Sequence, residues 1–288
     1  IAAYGAQRKL AERRRKGSEG TVTEVAEAES RLQLARAGRA DALDRVAVAM
    51  RKLEGITGTP MGELWILRPD FVPIGVRPGQ LEEWYVLAQD NNPEIRAQRK
   101  AYEMASLEVN RSRAGHLPQL DFVARATRSE NETISTLNQK TAVTAVGVQL
   151  NFPLFAGGRV SALTGQAVAN RERTQAELDA TVNEVLVEVK RQFMAVETGV
   201  SKVAAYEKAV DASLVAAEGT MRGMAAGIRT NTDVLDAERL MFVAKRDLAQ
   251  ARYEFLVSIL QLKTAAGVLS EKDVAEIASL LLPRSERL

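Results

Sequence analysis

The chain contains no cysteine among its 288 residues. Disulfides, thiolate metal sites and cysteine nucleophiles are therefore excluded, and the absence by itself assigns no compartment. Aromatic residues are scarce at 5%, although apolar residues reach 46%. Such a balance suits alanine-rich helix seams, where small side chains let helices approach, better than a compact globular core. Histidine occurs once, as His116 in a turn without clustered ligands, so no metal site is expected. Gly157-Gly158 lacks the lysine-serine ending of a phosphate loop. No nucleophile–base constellation or paired-carboxylate site is found, which argues against an enzyme and against a cofactor. Net charge is also nearly absent: 39 basic against 37 acidic residues leave a formal +2. The charges interleave along helices, so no nucleic-acid partner is expected. No apolar run reaches the roughly 18–20 residues that a membrane-spanning helix requires.

What the chain does have is seven-residue periodicity. In the stretch 222–269, Val234, Met241, Leu248, Phe255 and Leu262 recur at a strict spacing of seven. A seven-residue apolar repeat keeps one seam of a helix facing a neighbour, as in coiled coils. A second row, Val182, Val189, Val196, Val203 and Val210, runs through a helix expected from about 160 to 222, with Leu186, Phe193, Val200 and Leu214 beside it. At about 1.5 Å per residue that helix is roughly 95 Å long. A third row, Val25, Leu32, Arg39, Val46 and Leu53, marks a helix from a cap at Thr21 or Thr23 to about Thr57.

The first and last of these helices are copies. A shift of 209 residues, without a gap, places Thr23-Glu24-Val25 on Thr232-Asp233-Val234, Leu53 on Leu262 and Gly58 on Gly267. A match over about 36 residues with both ends in register indicates an internal duplication. Residues 1–16 read as the end of a preceding helix, closing on Arg13, Arg14, Arg15 and Lys16 before Gly17 and Gly20. Because the chain opens within helix, a mature or truncated form is expected.

Between the copies the character changes. Pro60, Pro69, Pro73 and Pro78, with Gly58, Gly62, Gly75 and Gly79, exclude long elements from the connector 58–79. A helix is expected over about 80–114, either kinked near Asn92-Pro93 or restarted there with Asn92 as cap. From Gln119 the period becomes two: Leu120, Phe122, Ala124 and Ala126 share one face. A polar loop is expected at about 129–140, then a second strand at about 142–152 with Val146, Val148, Leu150 and Phe152 on one face. Such strands fit a membrane β-barrel and fit equally a soluble hairpin packed on helices. A short helix from about Glu271 to Leu282 ends the chain.

Five segments resemble the TolC-like outer-membrane factor family. They are Ala114-Gly-His-Leu-Pro-Gln-Leu-Asp-Phe, Val148-Gln-Leu-Asn-Phe-Pro-Leu-Phe-Ala-Gly-Gly-Arg-Val, Gly227-Ile-Arg-Thr-Asn-Thr-Asp-Val-Leu-Asp-Ala-Glu, Ala249-Gln-Ala-Arg-Tyr-Glu-Phe-Leu and Leu262-Lys-Thr-Ala-Ala-Gly. The resemblance implies a mainly α fold of long antiparallel coiled-coil-like hairpins forming an α-barrel, with one two-stranded membrane β-hairpin. The chain then divides into the end of the first-repeat hairpin (1–57), an equatorial connector (58–79), the second repeat (80–267, with its β-hairpin at about 118–152 and tip turn at 223–230) and a C-terminal equatorial segment (268–288). The implied function is the outer-membrane exit duct of a tripartite efflux or type I protein secretion system. That duct is a homotrimer with its helical part in the periplasm. It contacts outer-membrane lipid and is opened by docking of a periplasmic adaptor and an inner-membrane transporter. A periplasmic adaptor-like coiled-coil protein is the competing possibility.

The resemblance also assigns residues. Arg229 falls on the family's gate arginine and Glu24 on its acidic partner. Asp233 and Asp236 fall on an acidic ring at the tunnel mouth, although either aspartate also suits the positive start of a helix. Arg222, Gly223, Gly227, Thr230, Arg15, Gly17 and Gly20 fall on the tips that meet the adaptor. The basic run from Arg13 to Lys16 serves equally to satisfy a helix C-terminus. Where the family often carries a tyrosine, Met224 and Ala225 stand here. One strand pair per chain gives six strands in a trimer, short of the family's twelve, so a C-terminal fragment that does not conduct ions alone is expected.

Overall fold

A computed structural model describes residues 1–60, 62, 64–133 and 136–283. The fold has two compact units, residues 1–83, 190–264 and 269–288 in the first and residues 84–189 and 265–268 in the second.

In the first unit, α1 (Ala2–Lys16) and α2 (Val22–Thr57) form a hairpin. Thr21 caps α2, and Gly58 ends it in the left-handed conformation at φ 70°, which glycine adopts without a Cβ penalty. The seven-spaced row on α2 is a seam only where α1 reaches. Ala28 and Leu32 are buried, but Leu43, Val46 and Val48 come to the surface. Leu53, at the end of the row, is half-buried.

The other two rows are buried at most of their positions, with Val182, Val210 and Leu248 half-buried. α5 (Arg159–Ala225) carries Val189, Val196 and Val203 in full burial, and α6 (Asn231–Ala265) buries Val234, Met241, Phe255 and Leu262. Leu214, expected beside the valine row, is exposed. Gly199 accounts for the close seam in the first unit, since a Cβ there would fall 2.8 Å from Phe255 Cδ2. Phe71 of the connector stacks obliquely on the same ring, with centroids 6.1 Å apart.

The connector holds a short strand that its proline and glycine content concealed. β1 (Ile66–Leu67) pairs antiparallel with β4 (Leu281–Leu282), which takes the residues expected to finish the last helix. That helix, α7 (Glu271–Ser279), therefore stops earlier than expected. Side chains of α6 hold the connector down. Leu67 N–H donates to the Tyr253 hydroxyl at 3.0 Å, and Arg252 donates to the Pro69 carbonyl at 3.2 Å and to Glu207 at 2.7 Å. Lys263 pairs with Asp273, whose carboxylate also closes the capping box of Ser270.

In the second unit Asn92 separates α3 (Leu81–Asn91) from α4 (Pro93–Arg113), which decides between kink and restart. Asn92 Oδ1 accepts from Glu94 N–H and Ile95 N–H, its Nδ2 donates to the Ala265 carbonyl at 2.8 Å, and Pro93 fills the first helical position. Trp84, Ala88, Ile95 and Val109 form the core.

Antiparallel strands β2 (Gln119–Thr133) and β3 (Thr136–Asn151) extend past the expected bounds. The polar loop expected at 129–140 is corrected: Ser129 pairs with Thr141 and Glu130 with Lys140, the latter as a 3.1 Å ion pair, so a charged cross-strand pair continues the ladder. Residues 134 and 135 of that expected loop lie outside the described residues. Leu120, Phe122, Val146, Val148 and Leu150 are all exposed, Phe122 at 73%. The hairpin's apolar face is thus uncovered, unlike that of a hairpin packed on helices. Among the described residues no helix is long and apolar enough to cross a membrane.

Candidate functional site at the helical tips

Two turns of the first unit carry the residues singled out in sequence. One joins α1 to α2 and the other joins α5 to α6. Each ends in a threonine cap with an acid three residues later. In the first, Thr21 Oγ1 accepts from Glu24 N–H at 3.2 Å, and Thr21 N–H donates to the Glu24 carboxylate at 3.3 Å. In the second, Thr230 Oγ1 accepts from Asp233 N–H at 3.3 Å, and Thr230 N–H donates to Asp233 at 2.8 Å. The 209-residue shift carries Thr21 onto Thr230 and Glu24 onto Asp233, so the duplication extends to the caps themselves. The Thr230 amide, then the Thr230 hydroxyl and the charge of Arg229, hold the Asp233 carboxyl below the usual carboxylate range.

Glycine shapes both turns. Gly227 lies at φ 76° and donates from its amide to the Met224 carbonyl. Arg229 N–H donates to the Gly223 carbonyl at 3.2 Å, and its side chain covers Gly223 so closely that a Cβ there would fall 2.8 Å from Arg229 Cγ. In the first turn a Cβ on Gly20 would fall 3.0 Å from Arg14 Cβ. Gly17 caps α1 and donates to the Arg13 carbonyl. Arg222 is exposed and lies 3.5 Å from Glu218 one turn back, and Arg15 is exposed.

A cleft of about 690 Å³ is lined by both tips, including Arg14, Glu24, Glu27, Arg31, Arg229 and Thr230. Arg229 and Glu24 thus face one space, without an ion pair between them among the described residues; Glu24 is engaged by its own helix cap. Asp236 is half exposed, 3.8 Å from Arg31 and 3.9 Å from Arg239. Arg31 also pairs with Glu27 at 2.8 Å. Sequence reasoning passed over Arg31, and took Glu27 only as a first-turn acid and Arg14 only as one of the basic run Arg13 to Lys16. Two signals pointed to Glu27 and Arg31: Glu27 maps onto Asp236 under the same shift, and Arg31 stands four residues after Glu27, where helical side chains meet. The arrangement offers interleaved cations and carboxylates on helix ends, and no cluster of metal-ligating residues occurs among the described residues.

Residues 84–268 match the family model described as "Outer membrane efflux protein". The chain is 36% identical over 280 residues to the proteases secretion protein PrtF of Dickeya chrysanthemi, covering 96% of this chain and 61% of that protein. It is 34% identical over 283 residues to the alkaline protease secretion protein AprF of Pseudomonas aeruginosa, covering 96% of this chain and 58% of that one. The chain therefore spans about 60% of the length of these relatives. Its fold matches the crystal structure of a membrane protein from Pseudomonas aeruginosa with a TM-score of 0.74 at 20% identity, over 92% of this chain and 61% of that one. Matched over residues 84–268, well over half of its length, the chain belongs to the outer membrane efflux protein family.

Proposed function

We propose that the protein containing this chain is the outer-membrane exit duct of a tripartite system: a passive conduit, not an enzyme, with its helices in the periplasm of a bacterium. The observation that carries this reading is the β2–β3 hairpin. Two strands of 15 and 16 residues expose an apolar face to solvent, an arrangement that is stable against lipid and costly in water. In this reading the protein is a homotrimer in outer-membrane lipid, and it is opened by a periplasmic adaptor and an inner-membrane transporter. Residues 1–57 end the first repeat, 80–267 form the second, and 58–79 with 268–288 form the equatorial segments.

Arg229 and Glu24 serve as the periplasmic gate, acting between neighbouring tips. Asp233 and Asp236 line the tunnel mouth, where rings of carboxylates concentrate cations. Arg222, Gly223, Gly227, Thr230, Arg15, Gly17 and Gly20 form the tip surface offered to the adaptor. Two relatives named for protease secretion favour a secreted protein over a small drug as cargo. Deleting the gene should stop a protease from reaching the medium, and supplying it on a plasmid should restore secretion. Loss of drug resistance with secretion intact would favour efflux; neither defect would contradict the duct reading.

A further inference from the structure

The two tips solve the same packing problem in opposite ways. Under the 209-residue shift, Arg14 falls on Gly223 and Gly20 falls on Arg229. The first turn has arginine before it and glycine at its end; the second has glycine before it and arginine at its end. In both, the two positions are too close to carry two side chains. A Cβ at Gly20 would fall 3.0 Å from Arg14 Cβ and 3.0 Å from the Arg15 amide nitrogen, and a Cβ at Gly223 would fall 2.8 Å from Arg229 Cγ. One glycine per turn therefore relieves the crowding, and at Gly20 the close atoms include the Arg15 nitrogen and the Arg14 carbonyl carbon as well as the Arg14 side chain.

In each case the remaining position holds arginine, where many side chains would fit sterically. Both arginines then line the one cleft together with Glu24 and Glu27. Arg14 lies in the last turn of α1, where the negative end of the helix favours a cation. Neither Arg14 nor Arg229 is held by an ion pair within 4.0 Å among the described residues; Arg229 acts on Asp233 from a greater distance, and both arginines line the cleft within reach of a carboxylate across it or on an adjoining tip.

We propose that Arg14 is the first tip's counterpart of Arg229, a second gate cation that closes the same cleft. This rests on the duct reading above. The two act in parallel: each turn supplies one arginine and one glycine in exchanged order, so that both tips present a cation to Glu24 and Glu27.

The test uses the intact protein in planar lipid bilayers. Arg229→Ala is expected to raise the open-to-closed ratio roughly two- to fivefold, the range for loss of one exposed ion pair. Arg14→Ala is expected to do the same, and the double variant to give about the product of the two if the cations act independently. Arg14→Lys should stay closed, whereas Arg14→Gln should open; loss of packing alone would not separate these two. The Arg14→Ala effect should also shrink as salt rises from about 0.1 to 1 M, over which the screening length falls from about 10 to 3 Å. If Arg229→Ala opens the channel and Arg14→Ala or Arg14→Gln has no effect, alone or in combination, the inference is overturned and the gate reading stands. If Arg229→Ala and Arg14→Ala are both silent, the gate reading fails with it.

Discussion

Arg31 lies between two carboxylates: Glu27 at 2.8 Å on its own helix and Asp236 at 3.8 Å on α6. The 209-residue shift carries one acid onto the other, and a single guanidinium serves both. Replacing Arg31 by alanine leaves both acids without their shared cation. The expected stability loss is about 0.5–1 kcal/mol, because these are partly exposed pairs. The larger expected effect is on permeation, since the Asp236 carboxylate loses a counter-charge at the proposed mouth. Reversal potentials in a salt gradient should shift toward cation preference; an unchanged potential would remove Asp236 from the ion path.

The glycines that end the two copies should respond differently to one substitution. Gly58 and Gly267 adopt nearly the same left-handed conformation, φ 70° and 69°. Nothing lies within 4 Å of a Cβ built on Gly58, whereas one on Gly267 would fall 2.5 Å from the Asn91 carbonyl carbon and 2.7 Å from the Asn92 nitrogen. Gly58→Ala is expected to cost about 1 kcal/mol, the conformational penalty alone. Gly267→Ala should cost at least about 2 kcal/mol more, because backbone must move and the Asn92 cap is disturbed. Denaturant unfolding of the two variants checks the order; equal losses would contradict it.

Acid should loosen the C-terminal segment in a defined window. Asp273 is held down to about 2, first by the Lys263 ammonium hydrogen bond and then by the hydroxyl and amide of Ser270. A carboxyl whose folded value is depressed stabilises the fold above its unfolded value, near 3.8, and that contribution is lost as pH falls toward about 2. The melting temperature should therefore drop between about pH 4 and pH 2. Asp273→Asn should lie about 1–2 kcal/mol lower at neutral pH and show a shallower acid slope, because the ion pair and the capping carboxylate are both gone. A parallel slope in parent and variant would rule Asp273 out as the titrating group.

Much of the fold was legible because its signals are periodic and local. The valine row of α5 and the row from Val234 to Leu262 on α6 each mark a buried seam, and Thr21 and Asn92 mark helix starts through their own side chains. What was not legible depends on partners distant in sequence. The two-residue pairing of Ile66–Leu67 with Leu281–Leu282 carries no periodic signal at all. The hairpin ran longer than its polar residues suggested, because Glu130 and Lys140 read as loop singly and as a cross-strand pair only once the register is known. At the tips, the Thr21 cap and the turn glycines were visible in sequence, whereas the Thr230 cap was not read as one. The cleft-lining Arg14 was hidden among four consecutive basic residues, and only the close approach at Gly20 singles it out.

The central claim is that the protein is a gated passive conduit, and single-channel recording from the intact protein in planar bilayers tests it most directly. The account predicts discrete conductance steps without any added energy source, with longer or larger openings in Arg229→Ala. A folded, outer-membrane-derived preparation that yields no conductance steps, in the parent and in Arg229→Ala alike, would contradict it.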